Sequence, residues 1–268
     1  MHGLVLSLAA SAVTVLPIQD AQPPPPTPSQ EAVERLEKLD LAIEDYEHEW
    51  QEEQAKLREK YAADLERVTD EGCEVSMSAM AMSPDYSPFI ATLSEWVEGS
   101  EGEDQALYLT RICRLATYGD GVEGRDALER LLVSHAKSPT WARLGQMLPF
   151  LEARFGKELE GGVVARLTAN PSPDVRGWVA LTLHRKTIES AERDSKEYAA
   201  AREAVTAAAR GATDEGLRDE LKGLIEVREK FGVGLIAPDI EGVDLDGAAF
   251  RLSDYKGQIL FVDFWGDW

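Results

Sequence analysis

One carboxylate and two indoles close this sequence in a setting that invites chemistry. Asp263 interrupts the apolar run Ile259-Leu260-Phe261-Val262-Asp263-Phe264, and Trp265-Gly266-Asp267-Trp268 follows. A carboxylate inside a strand covered on both faces is costly unless paired or protonated, so burial would raise its pKa and fit it for proton transfer. The bland alternative is an Asp at a strand end that reaches water. The other reactive residues are scattered. Cys73 and Cys113, the two cysteines, lack the close spacing of zinc ligands, which leaves either a disulfide or two buried thiols. A bridge closing a loop of that size would add about 4 kcal/mol in the chain-entropy view. Met77, Met80 and Met82 set soft thioethers near Cys73, as copper(I) would require, but no second Cys or His lies close by. His48, His135 and His184 lack the spacing of a zinc pair, and no Ser-containing elbow accompanies them. Structural roles are expected for all three, with neither metal nor cofactor.

Asp263 must be positioned by the segment before it. Around Phe231-Gly232-Val233-Gly234 the pattern changes from helical period to strands and turns. Residues 240–245 read as a strand, Asp246-Gly247 as a tight hairpin turn and 249–252 as the returning strand. Ser253-Asp254-Tyr255-Lys256-Gly257 is turn-like, and 259–264 then reads as a central strand. Ala237-Pro238-Asp239-Ile240-Glu241-Gly242, Asp246-Gly247 and Phe250-Arg251-Leu252-Ser253-Asp254-Tyr255-Lys256-Gly257, with the terminal run, resemble the entry of the TlpA/ResA and AhpC/TSA redoxin families. The resemblance is confined to residues 231–268.

That resemblance implies a thioredoxin-like α/β domain of which 231–268 is the incomplete, β-rich start, with protein dithiols or disulfides as partners. It gives Asp263 the role of proton relay behind the active cysteines, and Trp265 and Trp268 the role of flanking the groove. Gly266 departs from the Ala of many relatives. The chemistry implied is thiolate attack on a disulfide, assisted by the N-terminal end of the next helix. The family's Cys-x-x-Cys would begin just after Trp268, so the chain as written is expected to be an inactive fragment. One explanation is an abbreviated reading frame; another is selenocysteine at the next position, its UGA codon read as a stop. The nearest rival activity is thiol- or selenol-dependent peroxide reduction of AhpC/TSA type. Peroxidatic redoxins use a Thr or Ser shortly before their Cys and usually lack the adjacent Trp, so Phe264-Trp265-Gly266-Asp267-Trp268 leans toward the thioredoxin pattern. A third reading, from another class, is a helical protein-interaction scaffold.

Most of the chain reads as helix, so the fold is expected to be mainly α, an amino-terminal multi-helix domain ahead of the redoxin entry. Thr27-Pro28-Ser29-Gln30 is a helix start, with the Thr hydroxyl as cap and Gln30 closing a capping box. Residues 29–71 contain no Pro or Gly, as one long helix or a helical hairpin would require. Leu36, Leu39, Ile43, Tyr46 and Trp50 alternate by three and four, the seam of a dimeric or antiparallel coiled coil. Leu57, Tyr61, Leu65 and Val68 continue the stripe. Residues 86–230 form a helical domain: short helices around 89–97, 106–118, 127–135, 139–155 and 159–167, then helices from 174, over 188–210 and over 213–230. Asp174-Val175-Arg176-Gly177-Trp178-Val179-Ala180 is similar to the start of a HEAT-type helix, seen once.

Composition bounds the partners. A 44% hydrophobic content can build a core, while a formal charge of -21 disfavours nucleic acid and anionic membrane surfaces. Residues 4–16 are apolar but too few to cross a bilayer as a helix, and 1–21 fit a secretory signal lacking its usual basic start. Gln22-Pro23-Pro24-Pro25-Pro26 opens a spacer over 22–28. The expected address is the periplasm or cell envelope, with a helix-mediated protein partner or self-association.

Overall fold

The computed structural model describes residues 26–68, 83–116, 122–159, 161–231, 234–244 and 246–263, with the backbone alone for 60–68. Helix α1 (Gln30–Val68) is one uninterrupted helix. Its cap is Ser29 and not Thr27: the Ser29 hydroxyl accepts from Ala32 N at 3.1 Å, and Gln30 reaches along the helix to Glu34 at 2.8 Å. The apolar seam finds its partner inside the same chain. Ala32, Leu36 and Ile43 are buried and Leu39 is partly so, packed on α2 (Ser87–Glu98) and α3 (Gly102–Leu115). Tyr46 tilts onto Phe89 with ring centroids 5.4 Å apart. Arg35 lies 4.0 Å over the Trp96 ring, Tyr86 donates to Glu47 at 2.6 Å, and Arg111 meets Asp40 at 2.7 Å. A three-four stripe specifies that a helix needs an apolar partner, and here short helices supply it.

The body continues through α4 (Val122–Ser134), a 3₁₀ segment (Pro139–Met147), α5 (Leu148–Phe155), α6 (Val163–Leu167), α7 (Pro173–Ser190), α8 (Lys196–Gly211) and α9 (Glu215–Lys230). Chain neighbours pack on one another: α2 on α3, α3 on α4, α7 on α8 and α8 on α9. Two expected helices are divided. The 139–155 helix is 3₁₀ until Met147, where Gly145 backs directly onto the Trp178 ring, and Pro149 then starts α5. The 188–210 helix breaks at 191–195, because Ser195 caps α8 by accepting from Tyr198 N at 3.1 Å, while Arg228 donates to Ala191 O at 2.8 Å. The 159–167 helix shortens to α6 because Gly161 and Gly162 have φ of 79° and 71°.

Buried polar groups are answered locally. Asn170, 1% exposed, donates to Ala136 O at 2.8 Å and Ser138 O at 3.0 Å and accepts from Ser172 N. That single side chain ties the entry of the 3₁₀ segment to the corner before α7.

Beyond α9 the chain leaves the helical core. A two-stranded antiparallel hairpin, β1 (Glu241–Val243) and β2 (Ala249–Arg251), is followed by a 3₁₀ turn (Leu252–Tyr255). Residues 259–263, expected as a central strand, are without strand pairing, and Ile259 and Phe261 are almost fully exposed. A strand exists through hydrogen bonds to a neighbour, and the described residues bring none to this segment. The chain is thus mainly α-helical, and among the described residues the sheet is a two-stranded antiparallel pair.

Candidate functional site

The hairpin sets the approach to Asp263. Its register pairs Glu241 with Arg251, Gly242 with Phe250 and Val243 with Ala249, and a Glu241–Arg251 ion pair at 2.8 Å spans the strands. Strands of three residues replace the longer ones expected, yet the Asp-Gly turn falls where expected. Gly247 has φ of 81°, which an L side chain adopts only with strain. Asp244 supports the turn, accepting from Asp246 N at 3.0 Å and Ala248 N at 2.8 Å. Gly242 leaves room for the Phe250 ring, which a Cβ there would meet at 3.1 Å.

The next clamp is Asp239, which accepts from Ser253 N and Ser253 Oγ, both at 2.8 Å. Those bonds from Ser253, with Arg251 and Lys256 adding attraction, hold the Asp239 carboxyl below the ordinary carboxylate value. Asp254 accepts from Arg251 N at 2.8 Å, and Gly257, φ 87°, releases the chain into 258–263. The hairpin and its turn therefore fix how the terminal apolar segment leaves the preceding loop.

Asp263 is exposed at the end of that segment, so the burial that would tune it for proton transfer is not met among the described residues. Trp265, Trp268 and Cys73 lie outside the described residues, as do Met77, Met80 and Met82. Cys113 sits in the buried face of α3, its Sγ 3.7 Å from Gly124 O, and burial pushes its thiol pKa strongly upward. Such a thiol is a poor nucleophile. His135, half-buried, has Nε2 2.9 Å from Gln105 Oε1, and desolvation lowers its pKa despite Glu103. Desolvation likewise lowers that of His184, while His48 is exposed on α1 beside Glu52. Among the described residues no three His, Cys, Asp or Glu side chains converge as a metal site would need.

Sequence reasoning missed a repeated device in the helical body. At the start of α7, Ser172 caps by accepting from Val175 N at 3.4 Å, and Arg176 folds back onto the carbonyls of Asn170 and Pro171 at 2.6 and 2.8 Å. At the start of α9, Asp214 accepts from Leu217 N at 2.7 Å, and Arg218 folds back onto Ala212 and Thr213 at 2.9 and 3.2 Å. The readable signal was a capping residue, an apolar residue three places on and then Arg, recurring after roughly the 40–47 residues of a HEAT-type unit. Two clamps join helix starts: Asp104 receives Ser29 N at 2.6 Å and Ser29 Oγ at 2.7 Å, and Asp174 receives Thr213 N at 2.6 Å and Asp214 N at 3.0 Å.

Comparison with known proteins finds several thiol-disulfide oxidoreductases similar to part of this chain. Over 36 residues the chain is 53% identical to the thiol-disulfide oxidoreductase ResA of Geobacillus kaustophilus, covering 13% of this chain and 21% of that protein. It is 50% identical over 36 residues to ResA of Geobacillus thermodenitrificans, with the same coverage, and 38% identical over 47 residues to ResA of Bacillus cereus, covering 18% and 27%. The chain spans about a quarter of the length of the curated relatives it matches. This is a distant, partial homology to ResA and the thioredoxin family. No protein-family profile matches the chain, and no solved structure matches it.

Proposed function

We propose that residues 231–268 open the catalytic domain of a thiol-disulfide oxidoreductase of thioredoxin type, carried behind a helical body. The observation that carries this reading is the stretch shared with several ResA proteins, reaching 53% identity over 36 residues in one of them. The hairpin, its Asp-Gly turn and the Asp239–Ser253 clamp supply a rigid lead into the apolar run that the resemblance assigns to the strand before the nucleophile. In this reading the catalytic domain supplies a cysteine nucleophile, as the resemblance to thiol-disulfide oxidoreductases implies. Its thiolate attacks one sulfur of a protein disulfide and displaces the other as thiolate, and a second thiol then resolves the mixed disulfide. Asp263 takes the proton from that resolving thiol, which requires the covered sheet absent from the described residues; Trp265 and Trp268 border the groove.

The TlpA-like aromatic pattern favours disulfide exchange over AhpC/TSA peroxide reduction. We assign 1–21 to a signal and 22–28 to a spacer, placing the redox domain in the periplasm or envelope, where protein dithiols and disulfides are its substrates. The helical body, with its own core and its repeated helix starts, is suited to recruiting or positioning a protein partner. Two measurements test the reading. The full gene product should carry a redox-active cysteine pair beyond the matched stretch, and it should reduce insulin disulfides with dithiol as electron source. Absence of that pair together with absent reduction overturns it, and specific capture of a protein by residues 27–230 would then favour the scaffold.

A further inference from the structure

Most arginines of the helical body are engaged. Arg130 pairs with Glu98 at 2.6 Å and Arg202 with Glu229 at 2.5 Å, Arg176 and Arg218 lie on backbone carbonyls, and Arg35 and Arg154 lie over aromatic rings. With 49 acids to 28 Lys and Arg in the chain, carboxylate partners are plentiful. Arg114, in the last turn of α3, and Arg143, in the 3₁₀ segment, nonetheless have no hydrogen bond, ion pair or ring contact among the described residues. Both line one cavity of about 310 Å³.

That cavity lies where α3 and the 3₁₀ segment meet the starts of α7 and α9. Gln146, exposed and without a hydrogen bond among the described residues, adds an amide to its wall. The two carboxylates in the wall are already occupied and form no ion pair with either arginine. Asp174 accepts from Thr213 N, Thr213 Oγ1 and Asp214 N, and Asp214 caps α9 by accepting from Leu217 N. The N-terminal ends of α7 and α9, helices of 18 and 16 residues, add partial positive charge there. The cavity therefore presents two guanidinium groups in want of an acceptor, with an amide beside them.

Guanidinium groups take carboxylates and phosphates alike, and the surrounding charge decides between them. Asp174 and Asp214 stand in the same wall, and Arg114 also borders an adjoining groove of about 470 Å³ that includes Glu44 and Glu47 of α1. A dianion is repelled by all four, whereas a singly charged carboxylate meets Arg114 and Arg143 at lower cost. The groove shares Arg114, Gln146 and Met147 with the cavity and adds Phe150, 41% exposed, as apolar surface. Two adjoining hollows with cations, an amide and apolar ground in sequence suit a length of peptide better than a small acid. We propose that this surface binds a segment of a partner protein, with an acidic side chain received by Arg114 and Arg143 and a neighbouring apolar residue over Met147 and Phe150. It gives the recruiting role of the helical body a site, and it rests on that reading and not on the redox chemistry of 231–268.

Fluorescence anisotropy of the full gene product with short labelled peptides tests it, each peptide pairing one Glu with one Phe, beside the same peptides with Gln in place of Glu. The Glu peptides should bind, and more weakly as salt is raised. Arg114→Gln and Arg143→Gln should each lower their affinity by about tenfold, the factor corresponding to ~1.4 kcal/mol. Arg210→Gln, at an exposed α8 arginine outside the cavity, should change nothing. Circular dichroism confirms that each variant is folded. Absence of binding by any Glu peptide, equal binding of Glu and Gln peptides, or equal affinities in Arg114→Gln and Arg210→Gln overturns the proposal. So does N-acetylglutamate binding as tightly as the peptides, which would make the cavity a small-acid site. A protein whose capture by the full gene product survives both cavity substitutions would keep the recruiting role while overturning this site. Failure of insulin reduction would sink the oxidoreductase reading while leaving the peptide affinities untouched, so the two can fail separately.

Discussion

Asp174 offers a direct test of how α9, the helix that carries the redoxin-like segment, is held on the body. Its carboxylate accepts from Thr213 N at 2.6 Å, Thr213 Oγ1 at 2.5 Å and Asp214 N at 3.0 Å. Partial burial raises its pKa, but the Thr213 hydroxyl, the backbone N–H groups of Asp214 and Thr213 and the Arg218 charge together outweigh that and hold it below 3.8. Hydrogen bonds to a charged group contribute about 1.5–3 kcal/mol when protected. This carboxylate is half-exposed, so solvent screening brings the whole set to about 1–2 kcal/mol. Asp174→Ala should therefore lower the melting temperature by about 2–8 °C at neutral pH. Because the folded carboxyl titrates below the unfolded one, the unfolded chain takes up the proton first as pH falls. The contribution is complete above about pH 5 and disappears as pH drops through the folded value. Urea unfolding of the natural protein and Asp174→Ala, followed by circular dichroism from about pH 7 to about pH 2.5, should show a gap that closes only in the acid range. A gap that persists unchanged at the acid end, or none at neutrality, refutes the reasoning.

Gly145→Ala should destabilise by about 1–3 kcal/mol, read as a lower melting temperature, because packing strain of that size exceeds the ~1 kcal/mol that Ala gains over Gly in a helix. The added Cβ would meet the Trp178 ring at 2.3 Å; a melting temperature at or above that of the natural protein would contradict the packing. Gly177→Ala is the contrasting case, since the tight contact of its Cβ is with the tip of Leu217 at 2.8 Å while Leu221 lies at an ordinary 3.6 Å, and it should cost clearly less. At Cys113, burial together with the raised pKa predicts that iodoacetamide labels it in the folded protein far more slowly than an exposed cysteine. Peptide mass spectrometry showing rapid native labelling would refute that burial.

The parts legible in the sequence were those encoded within a few residues. The span of α1, the positions of α2 and α9 and the Asp246-Gly247 turn follow from apolar spacing, breakers and a Gly that supplies positive φ. The chemistry of the candidate site was legible only as a motif, and Asp263 shows why. Its expected burial depended on strands covering both sides, whereas the described residues leave residues 259–263 unpaired and exposed. The split between α7 and α8 was missed because Ala-rich, charged residues on both sides satisfy helical periodicity. Ser195 and Arg228 decide the break, the first as a local cap and the second from another helix.

What the sequence determined by itself was an inventory of amphipathic helices, a hairpin and a redoxin-like entry, because propensity, capping and turn geometry act over one or two turns of chain. Only the tertiary structure decided what each apolar stripe touches. The α1 seam read equally well as a coiled coil, yet Leu36 and Ile43 are buried in the protein's own body, and Val227 and Phe231 continue a similar stripe without cover. Burial is rewarded by area and not by the identity of the partner, so periodicity announces a sticky face and the rest of the chain, arriving from far away in sequence, determines its occupant.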